Sequence, residues 1–383
     1  MSAFAFLKKP SVLVLAFSLY DSVSLVSCGR RETVWHGAIQ NMDGVTLVKN
    51  PVVPIHERDA FRIEEEVSIG TQEGSGEFVF SEVRDLAVDR ERNIYVLDFK
   101  EPFIKVYDQS GKGLRTFGKR GQGPGEIQGP ASLCLSPRGD LVVTDRGNRS
   151  LHIYTPIGEH KRSLSLARWP SFSRPVVDAK DNIIARSATA TPGRAWIFTL
   201  KKFDPGLHEM FDIFSYPMDI TPDVFNVYPP DCFWRVGSDD CIIWGYSDKY
   251  EVLILDSDGT VIRRITRDYI PVEITDEEKN AWLQFAFGDR RIPANIQVNW
   301  PKHHNAFQFL MVDDEERIFV QTYEKPTGGK GNYCDVFDPE GRFIAKLALL
   351  GAPRVVNDSR IYTIEEDEQG YQLVKRYRVT WRF

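Results

Sequence analysis

Short stretches of alternating apolar and polar residues recur along the chain, separated by turns rich in Asp, Gly, Asn and Pro. Residues 93–98 and 104–111 form one such pair of stretches, and residues 140–145 and 151–158 repeat it 47 residues later. A period of 40–50 residues that holds several short strands is typical of the blades of a β-propeller. The pattern therefore predicts an all-β protein built from blades around a central channel.

The number of blades follows from the apolar second strand of each repeat. Six such strands contain Ile94, Leu141, Ile183, Ile242, Ile318 and Ile361. Residues 353–379 supply only three strands for the last blade, whereas an alternating segment at 61–69 precedes the first complete repeat. We expect this N-terminal segment to complete the last blade, because such closure removes exposed strand edges. The predicted fold is a six-bladed β-propeller over residues 61–383.

One stretch, residues 270–304, interrupts the repeat between the fourth and fifth blades. Thr275 and Glu278 have the spacing of a capping box, which predicts that a helix begins there. The segment after this helix shows no clear periodicity. Long insertions into a rigid scaffold are often functional, so we expect this insertion to shape one face of the propeller.

The N-terminus has the composition of an export signal. Two lysines, Lys8 and Lys9, precede a short apolar stretch that ends at Cys28, and residues 1–27 are predicted to be a signal peptide. Leu25, Ser27 and Cys28 resemble a bacterial lipobox, which implies that Cys28 carries a lipid. The alternative is a plain secretory signal with an incidental cysteine. Residues 28–60 are predicted to be a tether with one small hairpin, whose turn lies at residues 41–44.

Charge and cysteine content narrow the possible partners. The formal net charge is −6 and no long basic run occurs, so nucleic acid is not an expected partner. The four cysteines after Cys28 lie in strand-like apolar contexts, and we expect free, buried thiols. Because no C-x-x-C spacing occurs, we expect no zinc site of that kind. We expect a monomer without a cofactor.

Residues 145–154 resemble an NHL-type propeller repeat, in which two strands flank an Asp-x-x-Asn turn. Together with the Gly-Pro-Gly-Glu loop at 123–126 and the lipobox, they make the chain similar to bacterial six-bladed β-propeller lipoproteins of uncharacterised function. That resemblance transfers no catalytic residues, because the family has no agreed set. Proteins of related fold include ligand-binding scaffolds as well as metal-dependent lactonases and lyases, so the fold alone does not choose between them.

Four arginines lie near the predicted inner strands, which line the central channel of a propeller. These are Arg84, Arg174, Arg235 and Arg354. Guanidinium groups that converge there would form a cationic mouth suited to carboxylates or other anions. The alternative is that each arginine pairs with an Asp or Glu of a neighbouring blade.

The insertion contains the one histidine cluster of the sequence, His303 and His304, close to Trp300. Adjacent residues of an extended segment point to opposite sides, so both histidines could not easily bind one metal ion. The composition suits a loop that contacts a ligand, and the alternative is an ordinary solvated loop.

These patterns lead to one functional hypothesis and two alternatives. We expect a lipid-anchored, extracytoplasmic propeller that binds an anionic small molecule, a glycan or a protein through one face of its channel. The first alternative is a metal-dependent hydrolase or lyase, similar to a lactonase, with its site in the channel. The second is a structural component of the cell envelope. No nucleophile-elbow, HExxH or Walker motif occurs, so we assign no catalytic residue.

Overall fold

The computed structural model describes residues 34–56, 61–70, 79–101, 103–191, 195–219, 223–288, 290 and 292–382. Cys28 and the predicted signal segment lie outside these ranges. No helix within them is long and apolar enough to cross a membrane.

The described residues form six four-stranded antiparallel blades, in which the chain runs from the inner strand outwards. Three strands precede the first complete blade: β1 (Ala38–Met42), β2 (Val45–Asn50) and β3 (Phe61–Ile69). Blade 1 contains β4 (Val83–Val88), β5 (Ile94–Asp98), β6 (Ile104–Tyr107) and β7 (Gly113–Phe117). Blade 2 contains β8 (Pro130–Leu135), β9 (Leu141–Asp145), β10 (Ser150–Tyr154) and β11 (His160–Ser165). Blade 3 contains β12 (Ser173–Val177), β13 (Ile183–Ala190), β14 (Ala195–Phe203) and β15 (Glu209–Asp219).

The second half of the chain continues the same order. The short strand β16 (Val224–Asn226) precedes blade 4, which contains β17 (Cys232–Val236), β18 (Ile242–Tyr246), β19 (Glu251–Leu255) and β20 (Val261–Arg267). Helix α1 (Asp276–Phe287) and strand β21 (Gln297–Asn299) follow. Blade 5 contains β22 (Phe309–Val312), β23 (Ile318–Gln321), β24 (Asn332–Phe337) and β25 (Phe343–Leu349). Blade 6 contains β26 (Ala352–Asn357), β27 (Arg360–Glu366) and β28 (Gln372–Trp381), with β3 as its outer strand.

The predicted closure of the ring by an N-terminal strand is confirmed. Strand β3 pairs antiparallel with β28, so that Phe61 lies opposite Trp381. The carboxylate of Glu66 on β3 binds Arg360 at 3.0 Å and Arg376 at 2.9 Å, both on strands of the C-terminal segment. Closure therefore combines a strand ladder with ion pairs between the two ends of the propeller.

The core of the described part lies between the blades. Each pair of neighbouring blades encloses one cluster of buried aliphatic and aromatic side chains, including the pair formed by blades 6 and 1. The apolar second strands predicted from the sequence supply much of it, and every residue of β5 and β9 is buried. Burial of these strands on both faces explains why they are apolar without strict alternation.

The region predicted to be a tether is in part a fixed element of the propeller. The hairpin forms around the predicted turn, but β2 pairs in parallel with β20 and extends blade 4 to six strands. The Asn50 side chain accepts a hydrogen bond from the backbone of Phe343 at 2.7 Å and donates one to the carbonyl of Gly341 at 2.9 Å. The open edge of β20 offers unpaired backbone groups, which explains why this segment docks there.

The insertion between blades 4 and 5 begins as predicted with a capped helix. Thr275 accepts a hydrogen bond from the backbone N–H of Glu278, whose carboxylate accepts one in return from the backbone of Thr275. Strand β21 pairs in parallel with β16, which comes from the connection between blades 3 and 4. Both connections join an outer strand to the next inner strand, so they emerge on the face where the inner strands begin. We call this the insertion face.

The cysteines follow the prediction in part. Cys134, Cys232, Cys241 and Cys334 are free thiols. Cys232 and Cys334 are buried, but Cys134 and Cys241 are only partly buried. Cys134 lies on an inner strand, where the channel leaves one side of the strand open.

Candidate functional site: a cationic central channel

The six inner strands enclose a cavity of about 400 Å³ at the centre of the propeller. All four arginines predicted from the sequence line it: Arg84, Arg174, Arg235 and Arg354. Asp85 is the one carboxylate among the lining residues. Most of the remaining wall is apolar, with Leu133, Val176, Phe233, Phe309, Met311 and Val355 among its members. The channel is therefore an apolar tube with an excess of positive charge.

Irregular strand pairing explains how these side chains reach the channel. The register between inner and second strands shifts around Arg84, around Arg174 and around Arg354. A β-bulge places an extra residue in one strand and changes the direction of its side chains. Arg174 also has a positive φ of 52°. The bulge lets the neighbours Arg84 and Asp85 both line the channel, which strict alternation would forbid.

Two of the arginines have carboxylate partners. Arg84 forms an ion pair with Glu82 of its own blade at 3.1 Å, and 38% and 47% of the two side chains are exposed. Arg174 binds Asp231, in the connection before β17, at 2.6 Å. The predicted alternative, pairing with an acid of a neighbouring blade, therefore applies to Arg174.

Asp231 is held by more than one cation. It also binds Arg186 and accepts a hydrogen bond from the hydroxyl of Tyr216 at 2.9 Å. Burial alone would raise the pKa of Asp231, but the charges of Arg174 and Arg186 hold it below its ordinary value. This ionised carboxylate fixes Arg174, and two arginines share its single negative charge.

Arg235 and Arg354 lack such partners. No carboxylate oxygen of a described residue lies within 4.0 Å of either guanidinium group. Arg235 donates to the carbonyl oxygen of Trp234 at 2.7 Å and contacts the sulfur of Met311, while the Nε of Arg354 is buried without a hydrogen-bond partner. Both guanidinium groups lie 5.4 Å from the centre of the Phe309 ring. These two cations converge on one aromatic side chain.

Electrostatics in the channel reflects this shortage of negative charge. Burial lowers the pKa of Arg235 to about 10. The charges of Arg174 and Arg354 act in the same direction, and the charge of Asp85 opposes them. Burial raises the pKa of Asp85, although Arg354 opposes the shift. The oxygens of Asp85 accept hydrogen bonds from the backbone of Leu86 and of Leu133, both at 3.0 Å. A pKa of about 10 keeps Arg235 charged at neutral pH, so an anion that enters the channel would find a cation without a carboxylate partner among the described residues.

The other predicted site residues lie elsewhere. Trp300 lines a separate cavity of about 770 Å³ on the insertion face, together with Phe225, Tyr228 and Tyr246. His304 is buried, stacks on Tyr323 with ring centres 4.1 Å apart, and lies 3.2 Å from the carboxylate of Glu278. His303 is partly exposed and lies 3.9 Å from Glu273. The structure brings the four arginines together but keeps Trp300, His303 and His304 out of the channel.

Some residues of the site carried no signal in the sequence. Phe309 resembles any other core aromatic residue, and Asp85 should face away from Arg84 in a regular strand. The irregular pairing that brings Asp85 into the channel depends on contacts between strands. Among the residues that the structure describes, no three His, Cys, Asp or Glu side chains lie close enough together to hold a metal ion.

The chain is a six-bladed β-propeller, and comparison with known proteins agrees on this class. No model of a known protein family matches the sequence, and no curated protein matches it. A candidate exported protein of Bacteroides fragilis has a similar structure, with a TM-score of 0.56 at 10% identity over 88% of this chain and 100% of that chain. At this identity the likeness concerns the fold alone.

Two enzymes show a weaker likeness. Virginiamycin B lyase of Staphylococcus aureus has a TM-score of 0.46 at 10% identity, over 83% of this chain and 99% of that chain. A gluconolactonase of Xanthomonas campestris has a TM-score of 0.45 at 12% identity, over 79% of this chain and 87% of that chain. Likeness at this level carries no argument about activity.

Proposed function

We propose that this protein is an exported binding module, anchored by a lipid on Cys28, that takes an anionic ligand into its central channel. The observation that supports it most is the pair Arg235 and Arg354, two channel cations for which the described part of the chain offers no carboxylate partner. A partly buried charge without a partner costs stability. Such a cost persists in proteins where function uses the group.

The chemistry of the walls narrows the class of ligand. Guanidinium groups bind carboxylates and phosphates through paired hydrogen bonds, and such bonds are stronger than those between neutral groups. The wall around them is mostly aliphatic and aromatic. The ligand that fits is therefore an anion with an apolar body, either a small molecule or the acidic end of a glycan or protein.

The insertion face indicates from which side a ligand enters the channel. Arg84 and Arg174 are each the second residue of their inner strand, so they lie close to the face on which the insertion is built. The aromatic cavity that contains Trp300 lies on the same face. We infer that ligands enter from this side, past Arg84 and Arg174, and reach Arg235 and Arg354 deeper in the channel.

The proposed location depends on the N-terminal sequence and on the kind of protein that shares the fold. The signal-like segment and the lipobox at Cys28 support export to the bacterial envelope, and a similar structure belongs to a candidate exported protein. A Cys28→Ser variant should leave the membrane fraction. If this variant stays membrane-bound after export, the lipid anchor is wrong.

Titration calorimetry of the purified protein tests the binding site. We expect octanoate to bind and octanol, which has the same apolar chain, to bind at least tenfold more weakly. Arg235→Met and Arg354→Met should each lower the affinity for octanoate about tenfold or more, because each removes a charge-assisted hydrogen bond. Arg62→Ala, which removes an exposed cation on β3, is the matched control and should bind as the wild type.

Two results would count against this function. Unchanged octanoate affinity in both channel variants would remove the anion site. A tightly held stoichiometric metal ion in the purified protein would instead favour the metal-dependent hydrolase or lyase, although the channel lining offers a single carboxylate and no histidine as ligands.

A further inference from the structure

A second cavity, of about 640 Å³, lies at the edge of blade 2 and shares no lining residue with the channel. It is bounded by the connection between blades 1 and 2 and by the two outer strands of blade 2. Its lining includes Gln122, Gln128, His152, His160 and Ser163. The hydroxyl of Ser163 and two imidazoles therefore meet in one open space.

These side chains form a continuous chain of hydrogen bonds. His152 lies opposite Ser163 in the ladder between β10 and β11, and its Nδ1 is 2.8 Å from the Ser163 hydroxyl oxygen. The Nε2 of the same ring is 3.3 Å from a carboxylate oxygen of Asp145. The Nε2 of His160 is 2.9 Å from the Ser163 hydroxyl. Ser163 is exposed, whereas His152 and Asp145 are buried.

The protonation state of Asp145 orients this chain. Burial alone would raise its pKa, but hydrogen bonds from His152 and from the backbone of Gln128, Gly129 and Asn148 lower it to about 2. An ionised carboxylate can only accept hydrogen bonds, so the Nε2–H of His152 donates a hydrogen bond to Asp145. Nδ1 is then free to accept the proton of Ser163. This is the order of nucleophile, base and orienting carboxylate in a serine hydrolase, with the two ring nitrogens exchanged.

Blade 1 shows that the fold does not require this arrangement. At the same places, 47 residues earlier, it has Asp98, Lys105 and Thr116, and Lys105 binds Asp98 at 2.8 Å. At this place in the repeat, a lysine can therefore also pair with the buried carboxylate. Blade 2 departs from the repeat by placing an imidazole against the carboxylate and a second one, His160, beside the hydroxyl.

We propose that Ser163, His152 and Asp145 hydrolyse small carboxylic esters that enter this cavity. The Ser163 oxygen attacks the ester carbonyl while its proton moves to Nδ1 of His152. The carbon–oxygen bond of the ester breaks, and His152 returns the proton to the leaving alcohol. In the second half of the reaction, His152 takes a proton from water while the water oxygen attacks the acyl carbon. The bond between this carbon and the Ser163 oxygen then breaks, which releases the carboxylic acid, and His152 returns the proton to Ser163. The carboxamides of Gln122 and Gln128, which line the cavity, are candidate N–H donors to the oxyanion.

A fluorophosphonate probe on the purified full chain, followed by peptide mass spectrometry, tests the nucleophile. In the wild type we expect the label on Ser163 and none on Thr116, its counterpart in blade 1. In the Ser163→Ala variant we expect no labelled residue. Hydrolysis of p-nitrophenyl acetate should fall about a hundredfold or more in the same variant.

The variant His152→Lys separates chemistry from folding. It copies the ion pair of blade 1, so its thermal midpoint should stay within a few degrees of the wild type. Because it removes the base, labelling of Ser163 should fall about a hundredfold.

The control variant Arg62→Ala should react with the probe as the wild type does. Equal labelling of Ser163 in the wild type and in the folded His152→Lys variant would overturn the proposal, and so would the absence of label from the folded wild type. Neither result depends on the channel.

Discussion

Arg267 and Arg235 show two ways of placing an arginine inside this propeller. Arg267, at the end of β20, has a side chain with no exposed surface, and it binds Asp335 at 2.8 Å and Glu324 at 3.3 Å across the interface of blades 4 and 5. It also lies 4.6 Å from the centre of the Phe343 ring. Arg235 lies over an aromatic ring too, at 5.4 Å from Phe309, but it has no carboxylate partner among the described residues.

The difference separates a structural arginine from a candidate functional one. Between blades 4 and 5, the fold supplies the counter-charges that the buried guanidinium of Arg267 needs, and within blade 6 Glu66 does the same for Arg360 and Arg376. In the channel, by contrast, Asp85 is the one lining carboxylate, although both Arg235 and Arg354 lie there. The channel is therefore the region where a negative charge from outside would complete the interactions.

The largest expected effect tests the paired side of this comparison. Asp335→Ala would leave the buried Arg267 with the more distant Glu324 as its carboxylate partner, and it would also remove the acceptor of the Tyr250 hydroxyl. We expect a loss of about 3–5 kcal/mol in the free energy of unfolding, measured with urea. A loss below about 1 kcal/mol would show that Arg267 is not held by this pair and would weaken the comparison.

A smaller effect of opposite sign is expected in the channel. Arg235→Met removes a cation that has no carboxylate partner among the described residues, and it keeps an apolar side chain of similar length. We expect the free energy of unfolding to stay unchanged or to rise by about 1 kcal/mol, while the affinity for octanoate falls. A loss of stability as large as that of Asp335→Ala would mean that Arg235 is a structural residue.

The smallest effect is expected at the surface. Arg62 and Glu64 form an ion pair at 2.7 Å with about half of each side chain exposed. We expect Arg62→Ala to change the free energy of unfolding by less than about 0.5 kcal/mol, because solvent screens such pairs. A larger loss in the same urea titration would show that β3 needs this pair to hold the ring closed.

Much of the fold could be predicted from the sequence because its signals are local. Three of these signals depend on residues close together in the chain: the apolar second strands around Ile94 and Leu141, the capping box at Thr275, and the alternating segment at 61–69. The docking of β2 on β20 could not be predicted, because it joins segments more than 200 residues apart.

The candidate sites divide in the same way. The positions of the four arginines near the inner strands were visible in the sequence, whereas their irregular strand pairing and the lack of carboxylates near Arg235 and Arg354 were not. At the edge of blade 2, the repeat held a usable signal: His152 and Ser163 replace Lys105 and Thr116 of blade 1. Only the strand register shows that these two residues face each other beside Asp145.

The sequence by itself determined the period, the number of blades, the shared last blade and the place of the insertion. These features follow from local alternation of apolar and polar residues and from turn-forming residues, which act over a few positions. The tertiary structure decided which side chains converge and which charges remain unpaired. Convergence depends on strand register and β-bulges, and these are set when six blades pack against one another and the ring closes.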